Sequence, residues 1–175
     1  MNRPVFDLLG GPARDSIHCY ATGNDTDWQM ELGFTAMKLA CPHGPADGRA
    51  GVDANEFLVS RTRALVGPNA DLMMDCWMAF DIDFTVRLAE RLRPYGRNWI
   101  EDCLMPDDWD GWSVLRRRLP WQTLATGEHW YTVAPFLHSA SRRNVDIFQP
   151  DIAWVGGVTT TVKICHLAEA AGIPV

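Results

Sequence analysis

Four acidic residues in this chain close short apolar runs. Asp75 ends Leu72-Met73-Met74-Asp75, Glu101 ends Asn98-Trp99-Ile100-Glu101, Glu128 follows Leu124-Ala125-Thr126-Gly127, and Asp151 follows Ile147-Phe148-Gln149-Pro150. Their separations are 26, 27 and 23 residues, about one strand-plus-helix unit each time. In a parallel α/β sheet or barrel, every strand's C-terminal end points to one face, where sites form. The spacing therefore gathers three or four carboxylates from neighbouring strands in one mouth. Like charges gathered this way repel unless a cation neutralises them. Oxygen-only donors suit a hard divalent ion, Mg2+ before Mn2+ or Ca2+. A single Asp or Glu after a strand is more often a helix cap or a solvated loop residue. Three in succession, each the first charge after an apolar run, favour a metal.

The elements that position these residues alternate along the chain. Strands are predicted over 16–22, 34–40, 71–76, from 99, over 122–126 and over 145–148. Helices are predicted over 25–32, 52–66, 82–92, 109–119, 132–143 and 158–171, the last strongly amphipathic, and 173–175 opens one more strand. Strands alternating with helices of about ten residues mean βαβ units and a parallel sheet. Six units and the start of a seventh form one domain, with no linker or shift in composition between them. An open doubly wound sheet with Asp75 as an acidic binding pocket is the alternative, and it predicts a non-sequential strand order.

Composition narrows the function classes. The 175 residues include 47% hydrophobic and 22% charged, with 16 Lys plus Arg against 22 Asp plus Glu and a net charge of -6. Eight Trp and seven Phe exclude disorder for the whole chain. The acidic balance, with no basic run beyond Arg116-Arg117-Arg118, excludes nucleic acid as the main partner. No window approaches the roughly 18 to 20 apolar residues of a membrane span, and 1–15 lacks the apolar stretch of a signal peptide. The five cysteines form no CxxC pair, so mostly buried, reduced thiols and a cytoplasmic location are expected. Gly10-Gly11 and Gly156-Gly157 lack the spacing of a dinucleotide loop. His43, in a Pro/Gly-rich loop, reads as a surface residue, and His138, Cys165 and His166 as helix residues that pack or face solvent.

A resemblance emerges at the acidic residues. Asp75-Cys76-Trp77, Trp99-Ile100-Glu101-Asp102, Thr126-Gly127-Glu128-His129 and Gln149-Pro150-Asp151 with Trp154-Val155-Gly156-Gly157 together resemble the enolase superfamily, mandelate racemase subgroup. Lys38 followed by His43-Gly44-Pro45-Ala46, with the Asp75-Cys76-Trp77-Met78, Pro106-Asp107-Asp108-Trp109 and Thr126-Gly127-Glu128-His129 motifs, is most similar to the L-rhamnonate dehydratase family. The resemblance implies a (β/α)8 TIM-type barrel of which about six units are present. Pro4 to Gly11 resembles the segment that joins the superfamily's N-terminal capping domain to its barrel, so 1–15 reads as a linker and 16–175 as a partial barrel.

By the same resemblance Asp75, Glu101 and Glu128 are the Mg2+ ligands. Asp151 is the aspartate that orients a histidine base on the next strand, which is expected just past Val175. The implied reaction removes the proton beside a sugar acid's carboxylate and eliminates the 3-hydroxyl as water through an enediolate. Mg2+ offsets the charge that this step builds up, a metal strategy for which the superfamily is itself a standard example. The subgroup's racemases carry Lys-x-Lys at the second strand. Lys38-Leu39-Ala40 has only the first lysine, which fits a dehydratase and leaves Lys38 as a substrate contact or a positive charge beside the carboxylates. His129 is a further candidate for touching substrate. A small-molecule sugar acid is the implied partner, and the full-length form is expected to be a homo-oligomer. A catalytically silent, metal-binding fragment of such an enzyme, and another dehydratase or epimerase of the mandelate racemase type, are the competing functional readings.

Overall fold

The computed structural model describes residues 2–96 and 98–175; Met1, the first residue of the expected linker, lies outside the described residues. The strands are β1 (Ala21–Thr22), β2 (Ala36–Ala40), β3 (Asp71–Asp75), β4 (Ile100–Glu101), β5 (Leu124–Thr126) and β6 (Ile147–Phe148). They lie side by side in sequence order, and every neighbouring pair is parallel. Sequential order is that of a barrel arc and not of a doubly wound sheet, which excludes the alternative architecture. The Phe148 N–H donates to the Pro174 carbonyl at 2.9 Å, so 173–175 runs beside β6 as the start of a further strand should.

The helices are α1 (Val5–Leu8), α2 (Thr26–Glu31), α3 (Gly48–Val66), α4 (Ile82–Leu92), α5 (Trp109–Arg118), α6 (Ala134–Arg142) and α7 (Val158–Ala171). Outward-facing strand residues Met37, Leu39, Leu72, Met74, Ile100, Leu124 and Phe148 form one apolar cluster with Val59 of α3, Phe84 and Leu88 of α4, Trp112 of α5 and Phe136 of α6. Each large side chain buried there contributes about 1.5–3 kcal/mol of transfer free energy. Side-chain caps set two of the helix starts. Asp81 accepts the Phe84 N–H at 2.7 Å, and Asp108 accepts the Gly111 N–H at 2.9 Å. A Cβ at Gly111 would stand 2.0 Å from Asp108 Oδ2, so this cap requires glycine there.

Four expectations need correction. The first strand shrinks to Ala21–Thr22, because β2 is its only neighbour among the described strands and Ile17 stands 75% exposed with nothing to pack on. The third helix begins at Gly48, ahead of residue 52, because a 3-10 turn at Pro45–Asp47 feeds directly into it. α7 is not strongly amphipathic: it packs against α6 and fully buries only Ile164 and Ala168. Nor are the cysteines mostly buried. All five are free, but only Cys76 and Cys103 are buried, Cys41 and Cys165 are half-buried, and Cys19 is exposed. No described helix is long and apolar enough to cross a membrane.

Candidate functional site

Strand register decides which side chains share the inner face of the arc. Lys38 pairs with Met73, Asp75 with Glu101, Glu101 with Ala125, and Ala125 with Ile147. Side chains alternate with period two, so Lys38, Asp75 and Glu101 face inward, with Trp99 two residues before Glu101. Tyr20 and Gln149 share that parity, each two residues along from a paired inner position. Asp102 and Thr126 fall on the opposite parity, the face turned toward the helices.

One group of charges is centred on Lys38. Its Nζ lies 3.1 Å from Asp75 Oδ2 and in direct contact with Glu101 Oε1. The Glu101 side chain is 1% exposed, and its second oxygen accepts from Gln149 Nε2 at 2.7 Å and Trp99 Nε1 at 3.1 Å. Asp75 Oδ1 accepts the Trp77 N–H at 3.0 Å. Burial opposes the Lys38 charge, but Glu101 and Asp75 outweigh it and hold the ammonium above the ordinary lysine pKa. Burial pushes the Glu101 carboxyl up against the pull of Lys38 and Gln149, and the Asp75 charge pushes it further. One ammonium facing two carboxylates leaves a negative charge over, and a hard cation would relieve it. The Lys38 ammonium also sits 5.6 Å from the centre of the Tyr20 ring, which meets Trp99 edge to face.

A second group lies across β4 and β5. Gly127, at φ 130°, turns the chain beyond β5, and a Cβ there would meet Phe136 at 3.0 Å and the Gln149 backbone at 3.1 Å. The turn delivers Glu128 and His129 beside Asp102. Ligand-capable atoms of Asp102, Glu128 and His129 lie within 4.8 Å of one another, the one such group of three among the described residues. Burial raises the Asp102 carboxyl while Thr126 and His129 pull it down; burial and then the Asp102 charge raise Glu128. Asp102 itself, at φ 46°, and Trp77 and Met78, at 44° and 63°, are left-handed non-glycine residues immediately beyond the Asp75 and Glu101 strand ends. Backbone held this way costs roughly 1–3 kcal/mol per residue and gathers at functional sites.

The structure thus joins Lys38, Asp75 and Glu101 directly, and sets Glu128 and His129 beside them around Asp102. Asp75, Glu101 and Glu128 do not draw together as tightly as Asp102, Glu128 and His129 do. Asp151 is exposed at the rim, where Oδ1 accepts the N–H groups of Ala153 and Trp154 at 2.8 Å each. A cavity of about 520 Å³ brings Lys38, Glu128 and Asp151 to one space, its walls also including Tyr20, Trp99 and Gln149. His43 stands outside the mouth, half-exposed and 3.4 Å from Asp47. His138 packs edge-on to Trp109. Trp99, Asp102 and Gln149 stand in the motifs of the sequence without a role of their own, and Tyr20 goes unmarked. Period two from Glu101 would have given Trp99 its place, and the same parity carried across the strands gives Tyr20 and Gln149 theirs. No spacing in the sequence gives Asp102 its partner, since its parity is the one normally given to the core.

A parallel barrel arc with carboxylates at its strand C-termini defines a (β/α)-barrel domain with an acidic mouth. The chain belongs to the enolase C-terminal domain-like family, which residues 26–175 match. It is 45% identical over 170 residues to an L-rhamnonate dehydratase of Saccharopolyspora erythraea, a match covering 97% of this chain and 44% of that protein. The crystal structure of L-rhamnonate dehydratase from Gibberella zeae superposes with a TM-score of 0.94 at 35% identity, over 99% of this chain and 45% of that one. A rhamnonate dehydratase structure from the same organism, complexed with Mg, gives a TM-score of 0.93 at 35% identity, over 98% and 43%. The chain therefore spans less than half the length of these relatives.

Proposed function

We propose that this chain carries the metal-binding part of a Mg2+-dependent acid-sugar dehydratase, a hydro-lyase acting on L-rhamnonate or a closely similar sugar acid. One observation carries the reading. Asp75 and Glu101 stand in register on adjacent strands with a cation, the Lys38 ammonium, already held between them and Glu128 close by. The oxygen-only chemistry of this trio fits Mg2+, and a similar structure is complexed with Mg.

In this reading Asp75, Glu101 and Glu128 would hold the ion, and its positive charge would offset the charge that develops on the substrate when the α-proton is removed. Lys38 adds a fixed positive charge on the same wall. His129, beside Glu128 and with 14% of its side chain exposed, is assigned a contact with substrate. Asp151, at the rim, orients the histidine base expected on the next strand. Tyr20 and Trp99, edge to face, form an aromatic wall of the cavity. Residues 1–15 serve as the linker, in keeping with α1, which buries none of its residues, and 16–175 form the catalytic barrel. The full-length enzyme is a cytoplasmic homo-oligomer.

Calorimetric titration with Mg2+ tests the site: binding by the chain as it stands, abolished in Asp75→Ala and Glu101→Ala, supports it, and binding that survives both overturns it. An assay with L-rhamnonate then separates an active enzyme from a metal-binding chain without turnover.

A further inference from the structure

We propose that Asp102 is a positioning residue: anchored by Thr126 beneath the mouth, it fixes the His129 imidazole as the Nδ1–H tautomer and leaves Nε2 as the atom presented to a ligand. The functional meaning rests on the reading of the mouth as a sugar-acid site, whereas the tautomer itself stands on geometry alone.

Asp102 is 2% exposed and lies one residue beyond the register pair Glu101 and Ala125. Both of its oxygens are engaged. Oδ1 accepts the Thr126 hydroxyl at 2.5 Å, and Oδ2 lies 3.1 Å from His129 Nδ1. An ionised carboxylate only accepts hydrogen bonds, so the ring nitrogen facing it must carry the hydrogen. A second carboxylate oxygen, Glu128 Oε1, lies 3.6 Å from the same nitrogen and favours a hydrogen there as well. Among the described residues Nε2 has no hydrogen-bond partner. The ring's orientation is fixed from another direction by Trp154, whose indole meets it at 5.1 Å and 69°. Trp154 is in turn stacked on Tyr131 at 6.2 Å and 15°, and its backbone N–H donates to Asp151 Oδ1.

The arrangement follows the logic of buried aspartates that set the tautomer of a working histidine. A carboxylate at Nδ1 makes Nε2 a hydrogen-bond acceptor in the neutral ring, suited to a substrate hydroxyl. The opposite tautomer would offer a donor there. Asp102, left-handed at φ 46°, lies just beyond the β4 ladder. Asp102 and Glu101 are adjacent in sequence, yet Asp102 meets Thr126 and His129 whereas Glu101 meets Lys38 and Gln149.

The test is ¹⁵N NMR of the full chain labelled at its histidine rings and held metal-free near pH 8, where an ordinary imidazole is neutral. His129 is assigned from the signal lost in His129→Gln. The expected wild-type pattern is a protonated Nδ1 and an unprotonated Nε2. In Asp102→Asn that pattern should reverse or become a mixture, and Thr126→Val, which frees the carboxylate without removing it, should give an intermediate one. An Nε2–H pattern in the wild type, or an unchanged Nδ1–H pattern in Asp102→Asn, overturns the proposal. If Asp102→Asn does not fold, the wild-type and Thr126→Val spectra still decide. Where turnover is present, Asp102→Asn should lower kcat by about 10- to 100-fold, as loss of an orienting partner does. Conserved Mg2+ affinity with a reversed tautomer would uphold this role. A lost Mg2+ response in the wild type would instead count against the proposed function and leave the tautomer result intact.

Discussion

Two acidic groups share the mouth and are built on different principles. Asp75 and Glu101 are strand residues paired one to one in the β3–β4 ladder, and a lysine from β2 meets their charge. Asp102 and Glu128 lie just beyond strand ends, and a hydroxyl and an imidazole meet theirs. The backbone ladder fixes the first group before any side chain acts. The second depends on one glycine turn and on its own side-chain contacts. A site that must hold a charged ion gains from the first kind of rigidity, and a group that must present one particular nitrogen gains from the second.

Breaking the strand-borne group should have the largest effect. Glu101→Ala leaves the Lys38 ammonium buried with only Asp75, a loss worth about 3–5 kcal/mol when a buried pair is broken. Urea unfolding should show it, together with loss of the Mg2+ heat. A variant as stable as the wild type would mean that Lys38 finds water or another partner. Next comes Gly127→Ala, which forces a Cβ against Phe136 and the Gln149 backbone at φ 130°. A destabilisation of about 1–3 kcal/mol is expected from such strain. His129 NMR signals should shift while the Lys38, Asp75 and Glu101 contacts persist. Equal damage to both groups would erase the distinction between them.

Thr126→Val removes one buried hydrogen bond to a charged group and should cost about 1.5–3 kcal/mol at most, read as a lower urea midpoint with Mg2+ binding kept. The smallest effect belongs outside the mouth. Arg118 holds the exposed Asp83 carboxyl below its ordinary pKa by a hydrogen bond and its charge. A lowered folded-state value means that this contribution is present above the ordinary aspartate range and fades as pH falls through the lowered value. Asp83→Asn should therefore barely move the melting temperature at pH 7, and any difference should vanish in acid or in high salt. A large shift at neutral pH would show that a pair far from the mouth matters as much as those inside it.

Much of this was legible in the chain. The limits 82–92 and 158–171 coincide with α4 and α7, since Asp81 caps one start and Gly172, left-handed at φ 66°, closes the other helix. The placement of Asp75, Glu101 and Glu128 at or just beyond strand ends was legible because each follows an apolar run. The first strand and the burial of α7 were not, since both depend on what packs beside them. Lys38 could be seen as a nearby positive charge, but its contact with Glu101, 63 positions away, could not. The tie from Asp102 to His129 was equally hidden, because Asp102 lies on the parity that normally belongs to the core.

By itself, then, the order of residues determined the alternation of strands and helices and the arrival of carboxylates at one end of the sheet, since apolar periodicity and chain direction are local properties. Which carboxylate meets Lys38, and which holds an imidazole, was decided only by the tertiary structure. Register and parity across separate strands determine side-chain contact, and one residue's shift sends a side chain to the opposite face.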